Sequence, residues 1–242
     1  MSFLQQFFRD VFEQSIGAVA TTQKTPTDVQ SHFEVSRYGD FELTDAVRPS
    51  MDLQIKPSEG FRHEVYVDDE TKMEVPVLMA AVSREKLFPL FMEMVQQLGD
   101  SVDVVLETSH DHAVSGHVDL YREHIDMPVL TSILWEYEDL LTNDGCTGIA
   151  VLNPNIPQEI QFDEHKLLIM YGEPLRGFED MMNAVGVTND PSIRFITEAE
   201  HVHSSTQKYQ TEFEDLRLRL GTCLEKEEGE ESPEDEDFEG AW

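Results

Sequence analysis

The chain has 242 residues, of which 40% are hydrophobic, so it can bury a core in one large domain or two small ones. It carries 17 Lys and Arg against 49 Asp and Glu, a formal charge of −32. This charge opposes binding to nucleic acid or to an anionic membrane surface, and it favours basic partners or cations. Adaptation to a salty environment gives the same acidic bias.

The sequence also bears on the compartment in which the protein works. No apolar run reaches the roughly 18 residues that a membrane span needs, and Arg9 and Asp10 stand where a secretory signal needs an uninterrupted apolar region. Cys146 and Cys223 form no CxxC or other metal-ligand spacing, so they are interpreted as free thiols. We therefore expect a cytoplasmic protein.

An amphipathic helix is predicted at the N-terminus, within residues 1–17. Apolar side chains recur there at helical spacing from Leu4 to Ile16. The stripe favours docking onto the protein's own body, and a partner-binding or dimerising helix is the alternative. Residues 18–49 are predicted to form a linker whose second half, which includes Phe41, lies on the core surface.

Residues 50–144 predict a first α+β half in which three strands are followed by a helix, a strand and a helix. The periodicity of apolar residues places the strands at 51–55, 64–68, 75–82 and 102–112, and the helices at 84–98 and 127–141. Ser83 is predicted to cap the first helix and Gly99 to end it.

Residues 145–223 predict a second half with the same order of elements. The strands are placed at 148–152, 159–163, 167–171 and 193–203; one helix starts near Pro174 and is closed by Gly186, and the last is capped by Ser204 or Ser205 and ends at Gly221. The half-unit resembles small α/β secretion-chaperone folds in element order, with no residue motif in common.

The two halves share a histidine-bearing segment that aligns without a gap. Residues 102–112 read VDVVLETSHDH and residues 193–203 read IRFITEAEHVH. We therefore predict an internal duplication whose halves pack around a pseudo-twofold axis, with Val104 over Phe195. Coincidence between two common α+β patterns is the alternative explanation.

The histidines are the sharpest chemical feature of the sequence. An HxH pair on a strand points two imidazoles to one side, as a shared metal ion requires. The pseudo-twofold axis would bring His110, His112, His201 and His203 together, where neutral imidazoles suit Zn²⁺ or a similar transition metal. Histidines that only form hydrogen bonds at the rim of the core are the alternative.

The C-terminal residues 224–242 predict a disordered acidic tail, because they combine a high net charge with few apolar groups. Phe238 and Trp242 stand among these charges, and a tail that serves only solubility has no need of them. They are therefore candidate anchors for docking to a partner with a basic, apolar surface. A purely solvating tail is the alternative.

Two functions follow from these features. The first is a non-catalytic protein-interaction or regulatory role, of the chaperone type, carried by the N-terminal helix, the surface and the tail. The second is a metal-binding protein or metal-dependent enzyme that uses the paired histidines. The sequence contains no GxSxG, phosphate-binding loop, GxGxxG, HExxH or EF-hand pattern, so no catalytic residue is assigned.

Overall fold

The computed structural model of the protein describes residues 31–67, 72–110 and 117–224. The predicted N-terminal helix, the tail residues 225–242 and His112 lie outside the described residues. Within them, helices and strands are mixed, which confirms the α+β class. No helix of the described part is both long enough and apolar enough to cross a membrane.

The strands of the described part are numbered in chain order. They are β1 (Arg37–Tyr38), β2 (Phe41–Glu42), β3 (Val47–Pro49), β4 (Gly60–Val67), β5 (Glu74–Ala81), β6 (Ser101–Thr108), β7 (Val118–Asp126), β8 (Thr147–Leu152), β9 (Glu159–Phe162), β10 (Leu167–Tyr171) and β11 (His201–His203). The α-helices are α1 (Arg84–Val95), α2 (Met127–Glu136), α3 (Glu138–Asn143), α4 (Arg176–Ala184) and α5 (Gln207–Leu220).

One antiparallel sheet of seven strands forms the centre of the molecule, in the order β4-β5-β10-β9-β8-β6-β7. Strands β9 and β10 are buried along their whole length, as expected for the apolar sequence of β10, whereas β9 buries Glu159 and Gln161 together with Ile160 and Phe162. Each predicted half contributes strands to this sheet. Two small sheets, β1-β2 and β11-β3, lie outside it.

The two faces of the sheet are covered differently. On one face helices α1 to α5 bury the main apolar core, in which Phe91 of α1 packs on Phe162 of β9 with ring centroids 5.2 Å apart. On the other face a smaller core joins Phe41 and Ile193 to the sheet. The burial of Phe41 agrees with the expectation that the second half of the predicted linker lies on the core surface.

The predicted duplication is not confirmed, because the two histidine segments have different structures. Val104 lies on β6, which pairs with strands on both sides, whereas Phe195 precedes a short 3-10 helix at Ile196–Glu198. The carboxylate of Glu198 accepts a hydrogen bond from the Phe195 backbone N–H at 2.9 Å, and this local contact turns the chain away from an extended path. Only β11 remains of the predicted strand 193–203, and it pairs with β3.

Several smaller expectations also need correction. Residues 51–55 form turns rather than a strand, and β7 was not predicted. The predicted helix 127–141 is two helices separated at Tyr137, whose backbone leaves the helical range. Thr206, rather than Ser204 or Ser205, caps α5. Ser83 takes the predicted N-cap position but makes no side-chain cap hydrogen bond, and Gly221 takes the predicted position at the end of α5.

A carboxyl group on the second face of the sheet is held in its protonated form. Glu107 on β6 accepts hydrogen bonds from Gln161 Nε2 at 2.9 and 3.0 Å. Burial raises the pKa of Glu107 to about 8, and the negative charge of Asp119 adds to the shift. The folded protein therefore keeps this proton up to about pH 8, whereas the unfolded chain loses it near the ordinary value of 4.5.

This difference predicts a pH-dependent loss of stability. Between about pH 4.5 and pH 8 the folded state binds more protons at Glu107 than the unfolded state does, so its contribution to stability falls as pH rises. Replacing Glu107→Gln removes that contribution. The melting temperature of the variant, relative to the parent, should therefore increase steadily from pH 5 to pH 8 in thermal melts.

The matched control is Glu123→Gln, an exposed position on β7. Its melting temperature should follow that of the parent protein at every pH. A relative melting temperature of Glu107→Gln that does not change with pH would contradict the protonated state assigned to Glu107.

Candidate metal centre

The turn between β9 and β10 fixes the first imidazole of the site. Asp163 Oδ1 accepts the backbone N–H of Leu167 at 2.7 Å, and its other oxygen accepts His165 Nδ1–H at 2.8 Å. Lys166 completes the turn with a φ of 66°. His165 is consequently buried, with only 3% of its surface exposed.

Strand β11 supplies two further imidazoles. Side chains alternate along a strand, so His201 and His203 share one side while Val202, 42% exposed, faces the other. His201 Nδ1 donates to the carbonyl of Ala199 at 2.8 Å, and His203 Nδ1 donates to that of Gly145 at 2.5 Å.

The three histidines converge on one another. Ring centroids are 4.8 Å apart for His165 and His201, 4.6 Å for His165 and His203, and 5.0 Å for His201 and His203. One ligand atom of each lies within 4.8 Å of the other two. Nitrogen ligands bound to Zn²⁺ at roughly 2.0–2.1 Å lie about 3.3 Å apart in a tetrahedral shell.

The hydrogen bonds at Nδ1 decide which nitrogens face the centre. A carboxylate or a carbonyl oxygen only accepts, so each Nδ1 carries the proton and each neutral ring keeps a lone pair at Nε2. Nε2 of His201 lies 3.1 Å from Nε2 of His203. Two lone pairs at this distance repel each other unless a proton or a metal ion lies between them.

The protonated alternative is unfavourable in this environment. Burial lowers the pKa of His201 to about 4, and the neighbouring His165 and His203 add to the shift. Burial also lowers the pKa of His203. At neutral pH the rings of His201 and His203 are therefore neutral, which is the form that binds transition metals.

A second group of potential ligands lies beside this one. It consists of His110, Asp144 and Cys146, whose ligand atoms lie within 4.8 Å of one another. His110 Nε2 is 2.9 Å from Asp144 Oδ2. Burial raises the pKa of the Cys146 thiol, and the charge of Asp144 adds to the shift, so this cysteine is not an activated nucleophile.

The structure arranges the predicted ligands differently from the proposed set of four. His201 and His203 lie together on β11, but His110 lies past the end of β6 in the second group, and His112 is outside the described residues. The reason is that residues 193–203 do not form the sheet strand that the twofold arrangement required. Phe238 and Trp242 are also outside the described residues.

Sequence reasoning missed His165, the third imidazole of this cluster. Its local signal is an Asp two residues earlier, in the turn between two short apolar strands. A carboxylate that holds Nδ1 is the usual outer partner of a metal-bound histidine.

Comparison of the chain with family models, with curated proteins and with solved structures found no match.

Gly145 joins the centre to the rest of the fold through its backbone. Its N–H donates to the carbonyl of Ser204 at 2.8 Å, and its carbonyl accepts His203 Nδ1–H. A Cβ at this position would lie 2.3 Å from the Ala46 carbonyl oxygen and 2.9 Å from Ser204 N. Only glycine therefore permits this close approach of the chains.

Gly145→Ala should destabilise the fold and disturb the metal centre together. The added methyl group forces β3 and β11 away from residue 145, at a cost of about 1–3 kcal/mol for overpacking. Chemical denaturation measures the loss of stability, and a metal titration measures the loss of affinity. Gly177→Ala is the control, because a Cβ there meets nothing within 4 Å and the site is helical. Equal behaviour of the two variants would contradict the packing assigned to Gly145.

Proposed function

We propose that this protein binds a transition-metal ion, with Zn²⁺ as the best fit, through Nε2 of His165, His201 and His203. The observation that carries the proposal is the 3.1 Å separation of the Nε2 atoms of His201 and His203, both of whose Nδ1 atoms already donate to carbonyl oxygens. A cation between these lone pairs turns a repulsive contact into a bonding one.

The surroundings of the three imidazoles support the same proposal. Metal-bound histidines usually donate the other ring N–H to a carboxylate or a backbone carbonyl, which fixes the ring and raises the basicity of the ligating nitrogen. Here Asp163, Ala199 and Gly145 accept these three hydrogen bonds. These three hydrogen bonds match the contacts expected around the histidine ligands of a metal ion.

The partial exposure of the site to solvent supports a metal ion that can exchange one of its ligands. His165 is buried, whereas His201 and His203 are each only partly buried. Three histidines leave the fourth position of a tetrahedral Zn²⁺ for water or another ligand, which is the arrangement of catalytic zinc sites. Glu164 lies on the Nδ1 side of His203, 4.0 Å from that nitrogen, so it belongs to the surroundings and not to the ligand set.

Zinc should stabilise the folded protein measurably. A ligand that binds only the native state adds about 2.7 kcal/mol at a free concentration one hundred times its Kd. Thermal melts of chelator-treated protein with added Zn²⁺ should show this rise, and elemental analysis should show bound metal. His201→Gln should lower the affinity by more than the roughly 10–100-fold that loss of an outer-shell partner costs.

The control is His63→Gln, an exposed histidine on β4. This variant should bind Zn²⁺ as the parent protein does. A melting temperature that does not respond to Zn²⁺, or an equal response of His63→Gln and His201→Gln, would overturn the proposal.

A protein partner with a basic segment is the second candidate function, and an acidic groove beside Trp135 favours it. The indole is 51% exposed and packs edge-on against Phe88, with ring centroids 5.1 Å apart. The groove has a volume of about 550 Å³ and is lined by five carboxylates and one guanidinium: Glu42, Glu85, Glu136, Glu138, Asp139 and Arg84. An aromatic face among carboxylates suits an Arg or Lys side chain.

Tryptophan fluorescence tests the groove directly. The chain has two tryptophans, so Trp242→Phe leaves Trp135 as the reporter. An arginine-rich peptide should change its emission in a saturable, salt-sensitive manner. Glu138→Gln should weaken this binding, and Glu123→Gln, at an exposed position outside the groove lining, should not. Equal weakening by both variants would indicate attraction by overall charge alone. Loss of binding on deletion of residues 225–242 would assign the docking to the tail instead.

A further inference from the structure

The second ligand group lies next to the cluster of His165, His201 and His203, which we call the tris-histidine centre. Asp144 and Cys146 flank Gly145, the residue whose carbonyl holds His203. His110 reaches them from the end of β6, where Ser109 N–H donates to the Cys146 carbonyl at 3.0 Å. Imidazole, carboxylate and thiol are therefore brought together in the interior.

The contact between His110 and Asp144 is close, and it leaves one carboxylate oxygen without a partner. Nε2 of His110 lies 2.9 Å from Oδ2 of Asp144, and the side chains of Ser205 and Thr147 also interact with this carboxylate, but Asp144 Oδ1 makes no hydrogen bond within the described part of the chain. The side chain of His110 is 8% exposed and that of Asp144 is 0% exposed. Buried polar atoms without hydrogen bonds are costly and call for a missing ligand.

Each of these two side chains also contacts a threonine hydroxyl. Thr108 Oγ1 lies 2.7 Å from His110 Nδ1, and Thr147 Oγ1 donates to Asp144 Oδ2 at 2.6 Å. Such contacts orient the ligands of a metal ion. The buried ammonium of Lys166 donates to the Thr147 carbonyl at 2.8 Å and not to Asp144.

We propose that His110, Asp144 and Cys146 form a second transition-metal site. Nitrogen, oxygen and sulfur ligands together fit Zn²⁺ or Co²⁺, and the sulfur excludes Mg²⁺ and Ca²⁺ as preferred ions. Binding replaces the thiol proton of Cys146 with the metal, and the proton leaves to solvent. The two negative charges of Asp144 and the thiolate then balance the ion. The proposal does not depend on metal binding at His165, His201 and His203.

Cobalt is the probe, because a thiolate bound to Co²⁺ gives a sulfur-to-metal charge-transfer absorption that imidazole and carboxylate ligands do not give. The full chain, stripped of metal and reduced, should develop this absorption as Co²⁺ is added. Cys146→Ser should remove it. Cys223→Ser should retain it, because Cys223 is an exposed thiol outside both groups. His110→Gln should weaken the Co²⁺ affinity of the thiolate site by at least 10-fold.

The same experiment distinguishes the two proposed metal sites. His201→Gln should keep the charge-transfer absorption, and Cys146→Ser should keep one bound metal per chain at the tris-histidine centre, which also shows that the variant folds. Absence of the absorption in the parent protein would overturn the second site. Its persistence in Cys146→Ser, or its loss in Cys223→Ser, would do so too.

Discussion

Three hydrogen bonds from imidazole Nδ1 atoms determine the character of the proposed metal centre. Asp163 Oδ2 and the carbonyls of Ala199 and Gly145 accept them. Because each acceptor lacks a proton of its own, each ring is fixed as the tautomer whose lone pair lies at Nε2. Three polar side chains that would otherwise satisfy one another are thereby turned into a set of lone-pair donors.

The fold supplies these acceptors from elements that are distant in sequence. Asp163 belongs to the turn after β9, in the middle of the seven-stranded sheet, and Gly145 immediately precedes β8. Ala199 and two of the histidines come from the segment outside the sheet. That segment is anchored by Arg62 of β4, whose guanidinium lies 4.8 Å from the centre of the Phe195 ring and binds Glu198 at 2.8 Å. The sheet therefore acts as a rigid support, and β11 is brought to it.

The pattern of apolar and polar residues predicted those parts of this arrangement that depend on a single segment of the chain. The apolar runs of β5 and β10 were placed within a residue or two, because burial on both faces requires them to be apolar. Strand β9, which alternates polar and apolar residues, was placed equally well. The alternation in His201-Val202-His203 correctly placed two imidazoles on one side. His165 was not predicted as a ligand, because its approach to His201 is set by tertiary packing between residues 36 positions apart. The prediction of a strand at 193–203 was wrong for a similar reason. Contacts of Arg62 and Glu198 bend this segment, and neither contact can be recognised from the spacing of apolar residues.

Anomalous diffraction at the zinc edge, from crystals of the protein loaded with Zn²⁺, tests the metal centre most directly. The account predicts an anomalous peak at bonding distance, roughly 2.0–2.1 Å, from Nε2 of His165, His201 and His203. The three Nδ1 hydrogen bonds should be unchanged. Ordered imidazoles with no peak between them, or an ion bound through Nδ1 or only by surface carboxylates, would contradict it.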